Sequence, residues 1–168
     1  MDNKKEIFLE QIHLHEKQIF KICHIYTNNK ADQQDLYQEI ILQLWKSFPN
    51  FRGDAKFNTW LYQIAINTAI AGINKNKKQV LQSYPHRLPE EMPDPPADDE
   101  VELFDDMYRA IEQLNNIEKA IVVLYIEGKN YADIEEILGI NESTLRVKMN
   151  RIKKKLREIT KKIRYGIG

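Results

Sequence analysis

A single cysteine, Cys23, is all the sequence holds, which excludes an internal disulfide framework and suits a reducing compartment. Glycine is scarce and scattered, six residues in 168, and builds no phosphate-cradling loop. Long apolar runs are missing too. The least polar stretch, "IAINTAIAGI" at 64–73, is about half what a bilayer of roughly 30 Å demands and contains Asn67 and Thr68. The N-terminal "MDNKKEIF" has no apolar signal core and the C-terminal "IRYGIG" no retention or lipidation signal, so a soluble, cytoplasmic protein without membrane insertion is expected. No Ser/His/Asp, Cys/His or paired-carboxylate set can be defended from spacing, so no catalytic residues, enzyme activity or cofactor are expected. His13 and His15, two apart, point to different sides of a helix, and with Cys23 and His24 they make no metal site.

Net charge is also absent, with 25 basic residues against 25 acidic. The cancellation is spatial. Residues 141–168 carry ten Lys/Arg against Glu142 and Glu158, whereas 85–106 carry nine Asp/Glu against Arg87. Five of the six prolines fall in the acidic stretch, in "PHRLPEEMPDPPADDE", and apolar residues nearly vanish there. That composition describes an extended or disordered linker.

Helical periodicity flanks the linker on both sides. Ile7/Phe8, Ile12, Ile19/Phe20, Cys23 and Tyr26 define a first helix. A second, over 33–48, stacks Leu36, Ile40, Leu44 and Phe48 with Asp32 as its cap. Pro49 and Gly53 break the period, and a third helix over 57–74 carries Trp60, Leu61, Ile64, Ala65, Thr68 and Ala69. Beyond the linker, helices are expected at 101–113, 117–127, 131–138 and 142–162. The run "IVVLYI" at 121–126 could be a buried strand by period alone, but its polar flanks and the lack of a partner strand favour helix. There is no hairpin signal and no internal repeat. The expected fold is all-α, with two small helical domains joined by an acidic Pro-rich linker.

"YADIEEILGINESTLRVKMNRIKKKL", residues 131–156, reads as a helix-turn-helix. Gly139 can take the left-handed conformation that ends the first helix, Ile140 fills the angle, and Asn141 caps the second with Glu142 in its first turn. Leu145, Met149, Ile152 and Leu156 share one face. Thr144, Arg146, Val147, Asn150, Arg151 and Lys154 then face outward as a candidate major-groove surface. Lys148, Lys153, Lys155 and Arg157 flank it as candidate phosphate contacts.

Two N-terminal stretches suggest partners. In "DLYQEIILQLW" at 35–45, Asp35, Gln38, Glu39, Ile41 and Trp45 lie opposite or beside the Leu36/Ile40/Leu44 face, and such a mix of carboxylates with large apolar groups marks an interface. Trp45 can equally roll inward. In "FRGDAKFNTWLYQIAIN" at 51–67, an aromatic, a polar loop and an amide can meet if the loop folds back, and together they can hold an unstacked base. Read singly, Phe57, Trp60 and Tyr62 are core residues and Asn67 a capping or solvent-facing amide.

These stretches resemble bacterial RNA polymerase sigma factors of the extracytoplasmic-function group, over most of both halves. The resemblance implies 1–78 as a region 2 helical domain, 79–100 as the flexible acidic linker and 101–168 as a region 4 helix-turn-helix domain. It implies core-polymerase contacts by Asp35, Gln38, Glu39, Ile41 and Trp45. It implies minus-ten DNA contacts by Phe51, Arg52, Gly53, Asp54, Ala55, Lys56 and Asn67, with Phe51, the loop and Asn67 trapping a flipped non-template base. Minus-thirty-five contacts fall to Arg146, Val147, Lys148, Asn150 and Arg151, beside Thr144 and Lys154 on the outward face; Lys148, on the flank by periodicity, becomes a contact residue. The implied partners are core RNA polymerase, promoter DNA and an anti-sigma factor. The family commonly has a proline and an arginine where Asn115 and Lys119 stand, and a glycine where Ser143 stands. The rival from another class is a stand-alone helix-turn-helix regulator with an N-terminal sensing or dimerisation domain, which has no use for "FRGDAKFNTWLYQIAIN".

Overall fold

The computed structural model describes residues 2–53, 56–75 and 105–166. The expected linker, residues 79–100, lies outside the described residues, as do the first four residues of the helix expected at 101–113 and Asp54 and Ala55 of the candidate loop. Among the described residues there are seven α-helices and no strand. The chain divides into two compact units, Met1–Pro96 and Ala97–Gly168.

In the first unit α1 (Asp2–Tyr26), α2 (Lys30–Ser47) and α3 (Phe57–Lys75) each pack on the other two. The expected stripe of α1 is inside: Phe8, Ile12, Ile19, Phe20, Cys23 and Tyr26 are buried, joined by Ile22 and Ile25. Ile7 parts from Phe8 and is 44 % exposed. Helix α2 starts earlier than its apolar pattern suggests, because Asn29 rather than Asp32 is the cap. Asn29 holds the extended backbone of a cap, and its Oδ1 accepts the Asp32 N–H at 2.8 Å. The Asp32 carboxylate in turn accepts from Asn29 Nδ2 at 2.9 Å, so Asp32 belongs to the first turn.

The buried side of α2 is also wider than one stripe. Gln33, Tyr37, Ile40, Ile41, Leu42 and Leu44 are buried, while Leu36 and Phe48 are only half-buried. A helix wedged between two neighbours must bury an arc reaching both. Ile41, expected on the exposed interface, is therefore 0 % exposed. In α3, Leu61, Tyr62, Ala65, Ile66 and Ala69 form the inner side, with Trp60, Ile64 and Thr68 half-buried. A single 3-10 turn, Phe48–Asn50, with Pro49 in its first positions, connects α2 towards α3.

In the second unit α4 (Asp105–Glu112), α5 (Asn116–Ile126) and α6 (Tyr131–Leu138) all pack on α7 (Glu142–Tyr165). "IVVLYI" is helical, as its flanks suggested, and Ile121, Val122, Val123 and Leu124 are buried. Helix α5 opens with a capping box: Asn115 Oδ1 accepts from the Glu118 N–H at 2.8 Å, and Glu118 Oε1 accepts from the Asn115 N–H at 3.1 Å. At the end of α6, Gly139 adopts φ 74° and donates its N–H to the Glu135 carbonyl at 2.7 Å. Open space surrounds the position a Cβ would take, so glycine is favoured there by backbone conformation alone.

The burial of Ile41 gives a direct test. Both tryptophans, Trp45 and Trp60, lie in the first unit, so their fluorescence reports on it selectively. Ile41→Ala is expected to cost that unit about 2–5 kcal/mol in urea unfolding followed by tryptophan emission. Asp35→Ala, at an exposed position, should stay within about 0.5 kcal/mol.

Candidate nucleic-acid interface

Helix α7 is positioned by its apolar side. Leu145, Met149 and Ile152 are buried at steps of four and three, which turns Thr144, Arg146, Val147, Asn150, Arg151 and Lys154 to solvent. Lys148 and Leu156 lie half-buried at the edge. The N-terminal end is fixed by Asn141, whose Oδ1 accepts from the Thr144 N–H at 2.9 Å and from Ser143 Oγ at 2.8 Å. Val147, 50 % exposed, is an apolar spot within a polar face, suited to a thymine methyl, while Arg151 and Asn150 can reach base edges.

The flanking bases are less alike than their sequence suggests. Lys155 Nζ lies 2.9 Å from a Glu118 carboxylate oxygen, so this candidate phosphate contact is already paired. Lys153 Nζ sits 5.0 Å from the centroid of the Tyr125 ring. Arg157 Nε donates to the Lys153 carbonyl at 3.3 Å. Burial alone would raise the Glu118 carboxyl, but the Lys155 hydrogen bond, the Asn115 N–H and the charges of Lys155 and Lys148 outweigh it and hold the group below its ordinary value. Arg146 lies 3.8 Å from the Glu142 carboxylate and 4.7 Å from the centroid of the Tyr131 ring. Neither Glu118 nor Tyr131 stood out as a site residue in the sequence. Asn115-x-x-Glu118 is a legible capping pattern, whereas the Tyr131 contact has no local signal.

The first unit carries two further surfaces. On α2, Asp35 and Gln38 are exposed and Glu39 half-buried, its carboxylate accepting from Gln43 Nε2 at 3.0 Å. Trp45 takes an intermediate course between the two expectations. It is half-buried, with its ring 4.9 Å from Phe8 and Lys4 Nζ 5.6 Å over it. Ile41 is absent from this surface, so the face is more polar than expected.

In the connection to α3, Phe51 is half-buried against Trp60 at 5.0 Å and edge-on to Phe57 at 5.6 Å. Trp60 also meets Phe57 at 5.2 Å and Phe48 at 6.3 Å. Arg52, Gly53 and Lys56 are exposed. Asn67 is exposed on α3, seven residues beyond Trp60, which is two turns or roughly 10 Å along the same side of the helix. The aromatic wall and the amide thus share one side of α3, with Trp60, not Asn67, beneath Phe51. His15 borders the aromatic wall, its ring 5.3 Å from that of Phe57, while Cys23 is buried. Burial pushes the Cys23 thiol far up, His15 Nδ1 pairs with the Gln11 carbonyl at 2.8 Å and His24 Nδ1 with Gln33 Nε2 at 2.9 Å.

A helix-turn-helix unit with an exposed basic face, in one chain with a second helical unit that carries an aromatic-lined loop, is an arrangement suited to binding DNA. Residues 12–79 match the family model of Sigma-70 region 2, and residues 104–156 that of Sigma-70, region 4. The chain belongs to the sigma-70 family, as an RNA polymerase sigma factor of the extracytoplasmic-function group. Among curated relatives, the ECF RNA polymerase sigma factor SigW of Bacillus subtilis is 25% identical over 166 residues, covering 92% of this chain and 89% of its own. The ECF RNA polymerase sigma factor SigE of Mycolicibacterium smegmatis is 27% identical over 154 residues, covering 89% of this chain but 60% of its own. The sigma factor RpoE of Bartonella quintana, solved with the anti-sigma factor NepR, shares the fold with a TM-score of 0.70 at 18% identity, covering 93% of this chain and 98% of its own.

The Glu118 environment sets a pH dependence. A carboxyl held below its ordinary value near 4.5 adds stability that is fully present above that value and is lost as pH falls through the depressed one. Urea midpoints of the second unit, followed by amide NMR signals of α5 and α7, should therefore fall as the pH drops below about 4.5. In Glu118→Gln that share of the pH dependence should vanish.

Proposed function

We propose that the chain docks on core RNA polymerase through the α2 surface of Asp35, Gln38, Glu39 and Trp45, and directs transcription initiation by reading promoter DNA in two places. The observation that carries the reading is the outward face of α7, whose cap, turn glycine and buried stripe combine to present Arg146, Val147, Asn150 and Arg151 together. In this reading residues 101–168 recognise the upstream, minus-thirty-five element. Residues 1–78 recognise the minus-ten element, and residues 79–100 tether the two.

Phe51, packed at a tilt against Trp60, offers a supported aromatic surface to an unstacked base, and Asn67 offers an amide to its edge. Arg52, Gly53, Asp54, Ala55 and Lys56 supply the loop around it. Unstacking a base costs a few kcal/mol, which one stacking contact of about 1–3 kcal/mol and a few hydrogen bonds can offset. Binding energy alone then suffices to favour the opened strand, with no covalent step. Phosphate attraction to Lys154 and its neighbours adds affinity without selecting sequence. The protein works where bacterial polymerase does, in the cytoplasm; among the described residues no helix is long and apolar enough to cross a membrane. An anti-sigma factor, as NepR is to RpoE, is a fitting inhibitory partner.

Run-off transcription tests the whole reading: added to core polymerase, the chain should produce discrete start sites that core alone does not. Tight binding to an operator without polymerase, and no run-off product, would instead describe a stand-alone regulator. Arg151→Ala should weaken binding to the upstream element by about 1–3 kcal/mol in promoter-occupancy assays with holoenzyme. Asn67→Ala should leave duplex recognition intact and reduce permanganate reactivity of thymines in the opened region; a normal footprint would remove the amide from the base site.

A further inference from the structure

We infer that Tyr131 is a positioning residue for base recognition by Arg146. The inference rests on the reading of α7 as the groove helix and adds a residue to it. Tyr131 is the first residue of α6, the helix that precedes the turn, and Arg146 lies one turn into α7. The chain between them folds so that the guanidinium carbon sits 4.7 Å from the centre of the Tyr131 ring. Its Nη2 lies 3.8 Å from Glu142, four residues earlier on α7, the favourable order for an acid and a base on one helix.

An exposed arginine samples many rotamers and gives up that side-chain entropy when a base fixes it. Two anchors, one on each helix of the motif, remove part of that loss before DNA arrives. They act at the N-terminal end of α7, the end that reaches base edges in helix-turn-helix docking. The anchors differ in fate. Glu142 offers carboxylate acceptors in place of the guanine O6 and N7 acceptors that would later take over, so a base acceptor exchanges with it. The Tyr131 face makes no hydrogen bond to the guanidinium and leaves its N–H edge available, so stacking persists through the exchange. Lysine could not substitute, because an ammonium has no planar fork to hold in register.

The test is occupancy by holoenzyme, formed with the full chain, across a library of upstream elements changed one base pair at a time. Arg146→Ala should abolish discrimination at one base pair, on the order of tenfold or more. Tyr131→Leu should reduce discrimination at that same base pair by about two- to five-fold and leave the other positions as they were. Tyr131→Phe, which keeps the ring, should preserve it, and in the Arg146→Ala background Tyr131→Leu should change nothing further there. A uniform loss across the library on Tyr131→Leu, or a loss that persists without Arg146, would overturn the inference, since packing defects and phosphate contacts weaken all sequences alike. Discrimination unchanged by Arg146→Ala would sink the groove assignment of α7, and the role of Tyr131 with it.

Discussion

Small helical units have little core to spare, and that constraint governs everything else in this molecule. A unit of roughly 60–75 residues buries a modest fraction of its surface, so each helix must turn its whole apolar stripe inward and function falls to whatever side remains. In the second unit, α4, α5 and α6 all lean on α7. The orientation of the reading face is therefore set by Leu145, Met149 and Ile152 beneath it. Rotating α7 to present other residues would expose these three at about 1.5–3 kcal/mol each, more than the unit can lose. Packing and recognition are two sides of one helix.

The first unit meets the same constraint with aromatic rings. Trp45 touches Phe8, Phe8 touches Phe48, Phe48 touches Trp60, and Trp60 carries both Phe51 and Phe57, with centroid separations of 4.9 to 6.3 Å. Such pairs add about 0.5–1.5 kcal/mol beyond the area they bury. The chain of rings runs from the C-terminal part of α2 to the start of α3, and it seats Phe51 on helical scaffold instead of leaving it on a free loop. A stacking surface for a base must be stiff to be useful, because ordering it on binding would consume the energy that stacking supplies. Trp45 is half-buried because its ring packs on Phe8 and lies under Lys4.

Much of this was legible beforehand, and the misses have local physical causes. Period alone located the helices, Gly139 and Asn141 marked the turn, and the whole outward face of α7 followed from three buried positions. Ile40 and Leu44 are buried as the single stripe of α2 implied, but the buried side is wider, because packing on α1 and α3 pulls Tyr37 and Ile41 inside as well. Asn29 and Asp32 are both good caps three residues apart, and only the backbone at Asn29 decides between them. Lys155 looked like its neighbours on α7, yet its partner Glu118 is 37 residues away, beyond any periodic signal. Phe51 and Asn67 were expected near one another if the loop folds back; Phe51 meets Trp60 and Phe57, and Asn67 is exposed on α3 two turns beyond Trp60.

The balanced net charge now has a structural meaning. Acidic residues of the second unit meet the basic helix at its flanks, where Glu118 holds Lys155 and Asp106 lies 3.9 Å from Arg164, and on the outward face itself, where Glu142 lies beside Arg146. Arg151 and Lys154, at the centre of the outward face, have no ion pair among the described residues. Each flanking pair lowers the number of cations that can displace counterions from a phosphate backbone, and non-specific affinity falls steeply with that number. What is trimmed at the flanks is attraction that ignores sequence, while Arg151 and Lys154 stay exposed on the outward face. Fewer free cations favour weaker non-specific binding, in keeping with the proposal that the chain reaches promoter DNA on core polymerase.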